Sequence, residues 1–106
     1  MYASCRMYRL GAGSMDDAMH KADVDLAEEF GGMPGFVSYH VLATTDGEIC
    51  SWTVFTDEES AHRASDAARK FVDERMSEFR LERIGSMTGE VMVGRAREQI
   101  LEPAHH

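Results

Sequence analysis

A chain of 106 residues, 43% of them hydrophobic, is the right size for one domain around one core. Its formal net charge of −8 repels phosphate backbones and anionic lipid, so no nucleic acid and no membrane partner is expected. No apolar run approaches the ~20 residues of a spanning helix, and the two cysteines form neither a CxxC pair nor a Cys/His cluster at zinc spacing. The expectation is a cytoplasmic protein with no metal and no cofactor.

Tyr2 to Leu10 alternates Ala3, Cys5 and Met7 against Ser4, Arg6 and Tyr8, the period of a strand. Gly11-Ala12-Gly13 ends it. Ser14 supplies an N-cap oxygen with Asp17 three residues on, and opens a helix from Met15 to Phe30. Met15, Ala18, Met19, Ala22, Leu26 and Phe30 recur every three or four residues and form its apolar stripe. Gly31-Gly32 ends that helix, with left-handed geometry as the expected device. After a Pro34-Gly35 turn, Phe36 to Ala43 alternates as a second strand. Asp46-Gly47 between two alternating runs is a strong hairpin signal, and Ile49 to Phe55 is the return strand. Thr56 and Glu59 suggest a second capping box, starting a helix that runs to about Phe79. Ile84 to Arg95 reads as a last strand. The domain spans residues 1–96, with 97–106 as a C-terminal tail.

The order βαββαβ is that of a ferredoxin-like α+β fold, a four-stranded antiparallel sheet with two helices on one face. Parity puts Cys5, Met7, Val37, Tyr39, Val41, Cys50, Trp52, Val54, Val91 and Val93 on the helix side. The opposite face then carries Arg6, Tyr8, Phe36, Ser38, His40, Leu42, Ser51, Thr53, Phe55, Glu90 and Met92. That face is too apolar to leave in water, and a second copy packed sheet on sheet is the economical cover. Arg6, Phe36, His40, Phe55, Glu90 and Met92 are therefore the expected homodimer interface. Arg6, His40 and Glu90 are expected to satisfy one another there, because an unpaired buried charge costs several kcal/mol (order of magnitude).

With PGFVSY in the second strand, a DG hairpin, VFTDEESA at the entry to the second helix and GEVMVG in the last strand, the chain resembles the dimeric α/β barrel proteins. Within them it is similar to the antibiotic biosynthesis monooxygenase (ABM) domain group. The resemblance implies a dimeric α/β barrel with a pocket between sheet and helices. It also implies a cofactor-independent monooxygenase acting on a small hydrophobic aromatic or quinol-type substrate. The alternative is a non-catalytic dimeric protein that binds a small ligand or serves as a scaffold.

The expected pocket is bounded by Cys5, Met7, Met19, Tyr39, Trp52, Ala64 and Phe71. Tyr39 either orients a substrate oxygen or makes a structural hydrogen bond. Trp52, the single tryptophan, is either a stacking wall for a planar substrate or a core side chain. His62 is the third catalytic candidate, since haem-degrading relatives carry a ligating histidine on this helix together with an asparagine and a tryptophan. This chain has no asparagine and its tryptophan is on a strand. A solvated His62 bonded to Asp66 is the competing reading. Cys5 and Cys50 are expected on neighbouring strands, as a reduced pair.

Overall fold

The computed structural model describes residues 1–95. Strand β1 (Tyr2–Arg9) leads to a helix, α1, that is α-helical over Met15–Lys21, π-helical over Ala22–Leu26 and α-helical again over Ala27–Gly31. Strands β2 (Phe36–Ala43) and β3 (Glu48–Phe55) follow, then helix α2 (Glu58–Arg75), a 3₁₀ turn at Ser77–Phe79, and β4 (Glu82–Glu90). The sheet is antiparallel in the order β2-β3-β1-β4, so the fold is the expected ferredoxin-like βαββαβ. No described helix is long and apolar enough to cross a membrane.

Local chemistry explains most boundaries. The Ser14 hydroxyl accepts the Asp17 N–H at 3.1 Å and starts α1 as its sequence predicts. At α2 the cap is Asp57, one residue beyond the expected Thr56: its carboxylate accepts the Ser60 N–H at 3.0 Å and the Ser60 hydroxyl at 2.7 Å. Two bonds to a carboxylate outcompete one to a threonine hydroxyl. Gly32 closes α1 with φ −85°, in right-handed geometry, so the expected left-handed stop is corrected. Left-handed glycines instead serve the turns, Gly35 (φ 80°) before β2 and Gly47 (φ 83°) in the β2–β3 hairpin. α2 stops at Arg75, short of Phe79. β4 lies earlier than expected, so Val91, Val93 and Met92 fall past its end and Met92 and Val93 are exposed. The tail 97–106 lies outside the described residues.

The largest correction concerns which sheet face meets the helices. Ser4, Arg6 and Tyr8 of β1 and Ile49, Ser51, Thr53 and Phe55 of β3 are buried. The face assigned to the partner is thus the inner one for these two strands. In β2 a register shift between Phe36 and Ser38 puts a bulge at Val37. Phe36 then faces the helices, edge to face with Phe55 at 5.7 Å, while Val37 is 46% exposed. Beyond the bulge Tyr39 and Val41 point inward as expected, and His40 and Leu42 point outward. Cys5, Met7, Cys50, Trp52 and Val54 lie on the outer face beside them.

The core lies between the inner face and the two helices. Phe30 of α1 and Phe55 of β3 are fully buried, as are Ala18, Ala61 and Ala64. Alanine at 61, 64 and 68 lets α2 approach the sheet closely enough for the Ser4 hydroxyl to reach the Ala61 carbonyl at 3.3 Å. Fully burying a side chain the size of Phe contributes about 1.5–3 kcal/mol, so Phe30 and Phe55 are major anchors.

Candidate functional site

The inner face is built around a buried cation. Arg6 is 3% exposed, and no carboxylate lies within ion-pair distance of it among the described residues. Hydroxyls accept its N–H groups: Ser51 Oγ from Nε at 3.2 Å, Ser65 Oγ from Nη1 at 3.1 Å, and Thr53 Oγ1 from both Nη atoms at 3.4 Å. The Phe30 ring lies 5.8 Å from the guanidinium carbon. Burial lowers the Arg6 pKa from its usual value, but a guanidinium stays charged in practice.

Tyr39 stands near this cation. Its ring meets Phe30 edge to face at 4.9 Å, and burial pushes its pKa up to about 12 against the opposing pull of Arg6. The hydroxyl is therefore a proton donor at neutral pH, and it makes no hydrogen bond among the described residues. A free donor on an aromatic wall suits a substrate oxygen.

The space beside Tyr39 is an open groove of about 570 Å³ between α1 and the β2 edge, lined by Met19, Asp23, Ala27, Phe36, Tyr39, Val41 and Ala43. Met19, Asp23 and Ala27 succeed one another every four residues and line the groove through the π-helical turn, while Ala22 and Leu26 fill the core. The groove is within the range of small-molecule sites. Deeper in, next to Met19, Tyr39 and Val41, a void of about 30 Å³ is lined by Tyr8, Ile49, Ser51 and Met76 among others. It has room for little more than a water.

Of the expected pocket residues, the structure brings Met19 and Tyr39 together. Ala64 is fully buried under α2, and Phe71 is buried with Arg75 over its ring at 5.1 Å, lining a charged cleft between α1 and α2. Cys5, Met7 and Trp52 are on the other side of the sheet, and Trp52 stacks on His40 with centroids 5.2 Å apart. His62 is exposed and lies 3.6 Å from Glu58, while Asp66 pairs with Arg69 instead. The expected interface divides likewise. His40 is on the outer face, whereas Arg6 and Phe55 are interior and Phe36 packs against the core. Glu90 is exposed, aligned with Tyr2 on β1. Arg6, His40 and Glu90 therefore do not meet, and Arg6 is satisfied within its own chain.

Asp23, Ala27 and Ala43 are groove residues not expected from the sequence, and Phe36, expected at the partner interface, lines the groove as well, since these positions depend on the π turn and the β2 bulge. The cysteines are free, on adjacent strands of the outer face. Burial, then the neighbouring Cys50 thiol, raises the Cys5 pKa, which disfavours a reactive thiolate. Among the described residues no group of three or more His, Cys, Asp or Glu side chains could hold a metal.

Comparison with known proteins adds a lineage to this geometry. SnoaB, a cofactor-independent oxygenase from Streptomyces nogalater, is similar in structure with TM-score 0.60 and 18% identity over 91% of this chain and 95% of its own. The monooxygenase of ActVA-Orf6 from Streptomyces coelicolor, solved with nanaomycin D, gives TM-score 0.62 and 14% identity over 90% of each chain. A dimeric ferredoxin-like protein from an uncultured marine organism gives TM-score 0.65 and 13% identity over 91% of this chain and 97% of its own. At these identities the likeness shows the fold. No curated protein matches the chain. The model of the antibiotic biosynthesis monooxygenase family matches residues 2–74, most of the chain, and the protein belongs to that family.

Proposed function

We propose that the protein is a cofactor-independent monooxygenase whose substrate, a small hydrophobic aromatic of the quinol or anthrone type, lies in the α1–β2 groove. The observation that carries this reading is Tyr39, a protonated side chain that lines a groove large enough for two or three fused rings and whose hydroxyl has no partner among the described residues. Family membership and the oxygenase fold of the neighbours support it.

In such a reaction the substrate is deprotonated to a carbanion, which passes one electron to O₂. The resulting radical and superoxide combine at carbon to a peroxide, and loss of water leaves a carbonyl, so that CH₂ plus O₂ gives C=O plus H₂O. Asp23, exposed at the groove, is the carboxylate available to accept the proton. Tyr39 donates to the developing oxyanion, with the nearby Arg6 charge adding to its stabilisation. Met19, Phe36 and Val41 keep the ring face dry. O₂ consumption with naphthoquinols and anthrones tests the assignment. Tyr39→Phe is expected to lower kcat/KM by about 10- to 100-fold, the loss of one hydrogen bond to a charged group. An unchanged kcat/KM would remove Tyr39 from the site.

The functional unit in this reading is a homodimer closed through the outer face. Leu42 (52% exposed), Met87 (69%) and Met7 crowd that face around Trp52 and Val54. Four strands of about eight residues give that face a flat footprint of roughly 500 Å², with these apolar side chains at its centre. A cytoplasmic setting fits the free thiols on this face.

A further inference from the structure

A second pocket lies on the far side of Arg6 from the groove. Its volume is about 100 Å³ and its lining is Arg6, Tyr8, Ser65, Arg69, Arg83 and Ser86, with no carboxylate among the described residues. The register explains the assembly: Ser86 of β4 lies opposite Arg6 of β1, and Arg83 opposite Tyr8. From above, α2 contributes Ser65, already bonded to Arg6, and Arg69 one turn later.

Three guanidinium groups converge here in a protein of net charge −8. Arg6 is buried with hydroxyl partners alone, and Arg83 lies over the Tyr8 ring at 5.6 Å without an ion pair among the described residues. Of the three, only Arg69 has an acidic partner among the described residues, the exposed Asp66. Tyr8 is 4% exposed and its hydroxyl has no hydrogen-bond partner among the described residues. Concentrating like charge around a buried cation is costly, and an anion shared among the guanidiniums removes that cost.

We propose that this pocket binds a small oxyanion, the carboxylate or phosphate group of a ligand, held between Arg69 and Arg83 against Arg6. The volume admits the anionic group and leaves the rest of the ligand outside. This site is independent of the oxygenase reading, because it is read by binding alone.

Isothermal titration of the full chain with benzoate and, separately, inorganic phosphate tests it, at an ionic strength held constant with sodium chloride. Saturable binding at one site per chain is expected for at least one probe, and which one saturates identifies the group. Arg83→Gln and Arg69→Gln should each weaken it at least tenfold. Arg63→Gln, on the same helix but paired with Glu59 outside the pocket, should leave it unchanged. Arg69 and Arg83 are exposed, so both variants should fold, which circular dichroism confirms. Failure of both probes to saturate, or wild-type affinity in Arg83→Gln, would overturn the proposal.

Discussion

Replacing Trp52 by glutamate should separate the dimer without unfolding the protomer. Within one chain Trp52 is half-buried, and its main aromatic contact is His40, nearly parallel at an interplanar angle of 17°. Losing that stack costs about 0.5–1.5 kcal/mol, small against a typical stability of about 5–15 kcal/mol. Between two sheets the same substitution buries a carboxylate with no partner, at about 3–5 kcal/mol for each. A two-fold axis doubles it, to roughly 6–10 kcal/mol, or at least four decades in the dissociation constant. Sedimentation velocity at about 10 μM should show a dimer for the wild type and a monomer with an unchanged circular dichroism spectrum for the variant. A dimer of undiminished affinity in Trp52→Glu, or a monomeric wild type, would refute the assignment of the outer face.

Two other consequences concern stability. Phe30→Ala removes a fully buried ring that holds both Tyr39 and Arg6 in place. It should cost about 3–5 kcal/mol, lowering Tm by more than 10 °C in a thermal melt, and a drop of only a degree or two would show that Phe30 is no anchor. The raised pKa of Tyr39 has a definite sign: its contribution is fully present below the ordinary pKa near 10 and is lost as pH rises toward 12. Relative to Tyr39→Phe, the wild type should lose about 2 kcal/mol over that window in urea titrations, after allowance for partial exposure. Parallel curves for the two proteins would mean that Tyr39 titrates as it does in water.

The element order, the hairpin and the Ser14 cap were legible because each rests on local chemistry, a period of two or a glycine at a turn. The facing of the sheet was not. Hydrophobic parity assumes that polar residues mark the solvent side, but Ser51, Thr53 and Ser65 are spent satisfying Arg6 inside the protein. That internal network has the alternation of an exposed face. Cys5, Met7, Trp52 and Val54 look like core for the complementary reason, being apolar on a face that we assign to a partner. In β2 the parity reading held for Tyr39 and Val41 but failed for Phe36 and Val37, because the bulge between them resets the phase. Of the three catalytic candidates, Tyr39 lines the groove that we propose as the site. Trp52 is a candidate only if strand parity puts it on the helix side, and His62 only by resemblance to haem-degrading relatives; the sheet register and helix exposure put both elsewhere.

O₂ uptake measured on a pair of variants that act on opposite faces of the sheet decides where the chemistry occurs. Ala27→Trp fills the α1–β2 groove from one wall, whereas Trp52→Phe alters the outer face and keeps it apolar. With a substrate turned over by the wild type, Ala27→Trp should abolish uptake and Trp52→Phe should retain most of it. Uptake that survives in Ala27→Trp and disappears in Trp52→Phe would place the reaction on the opposite face and contradict the account.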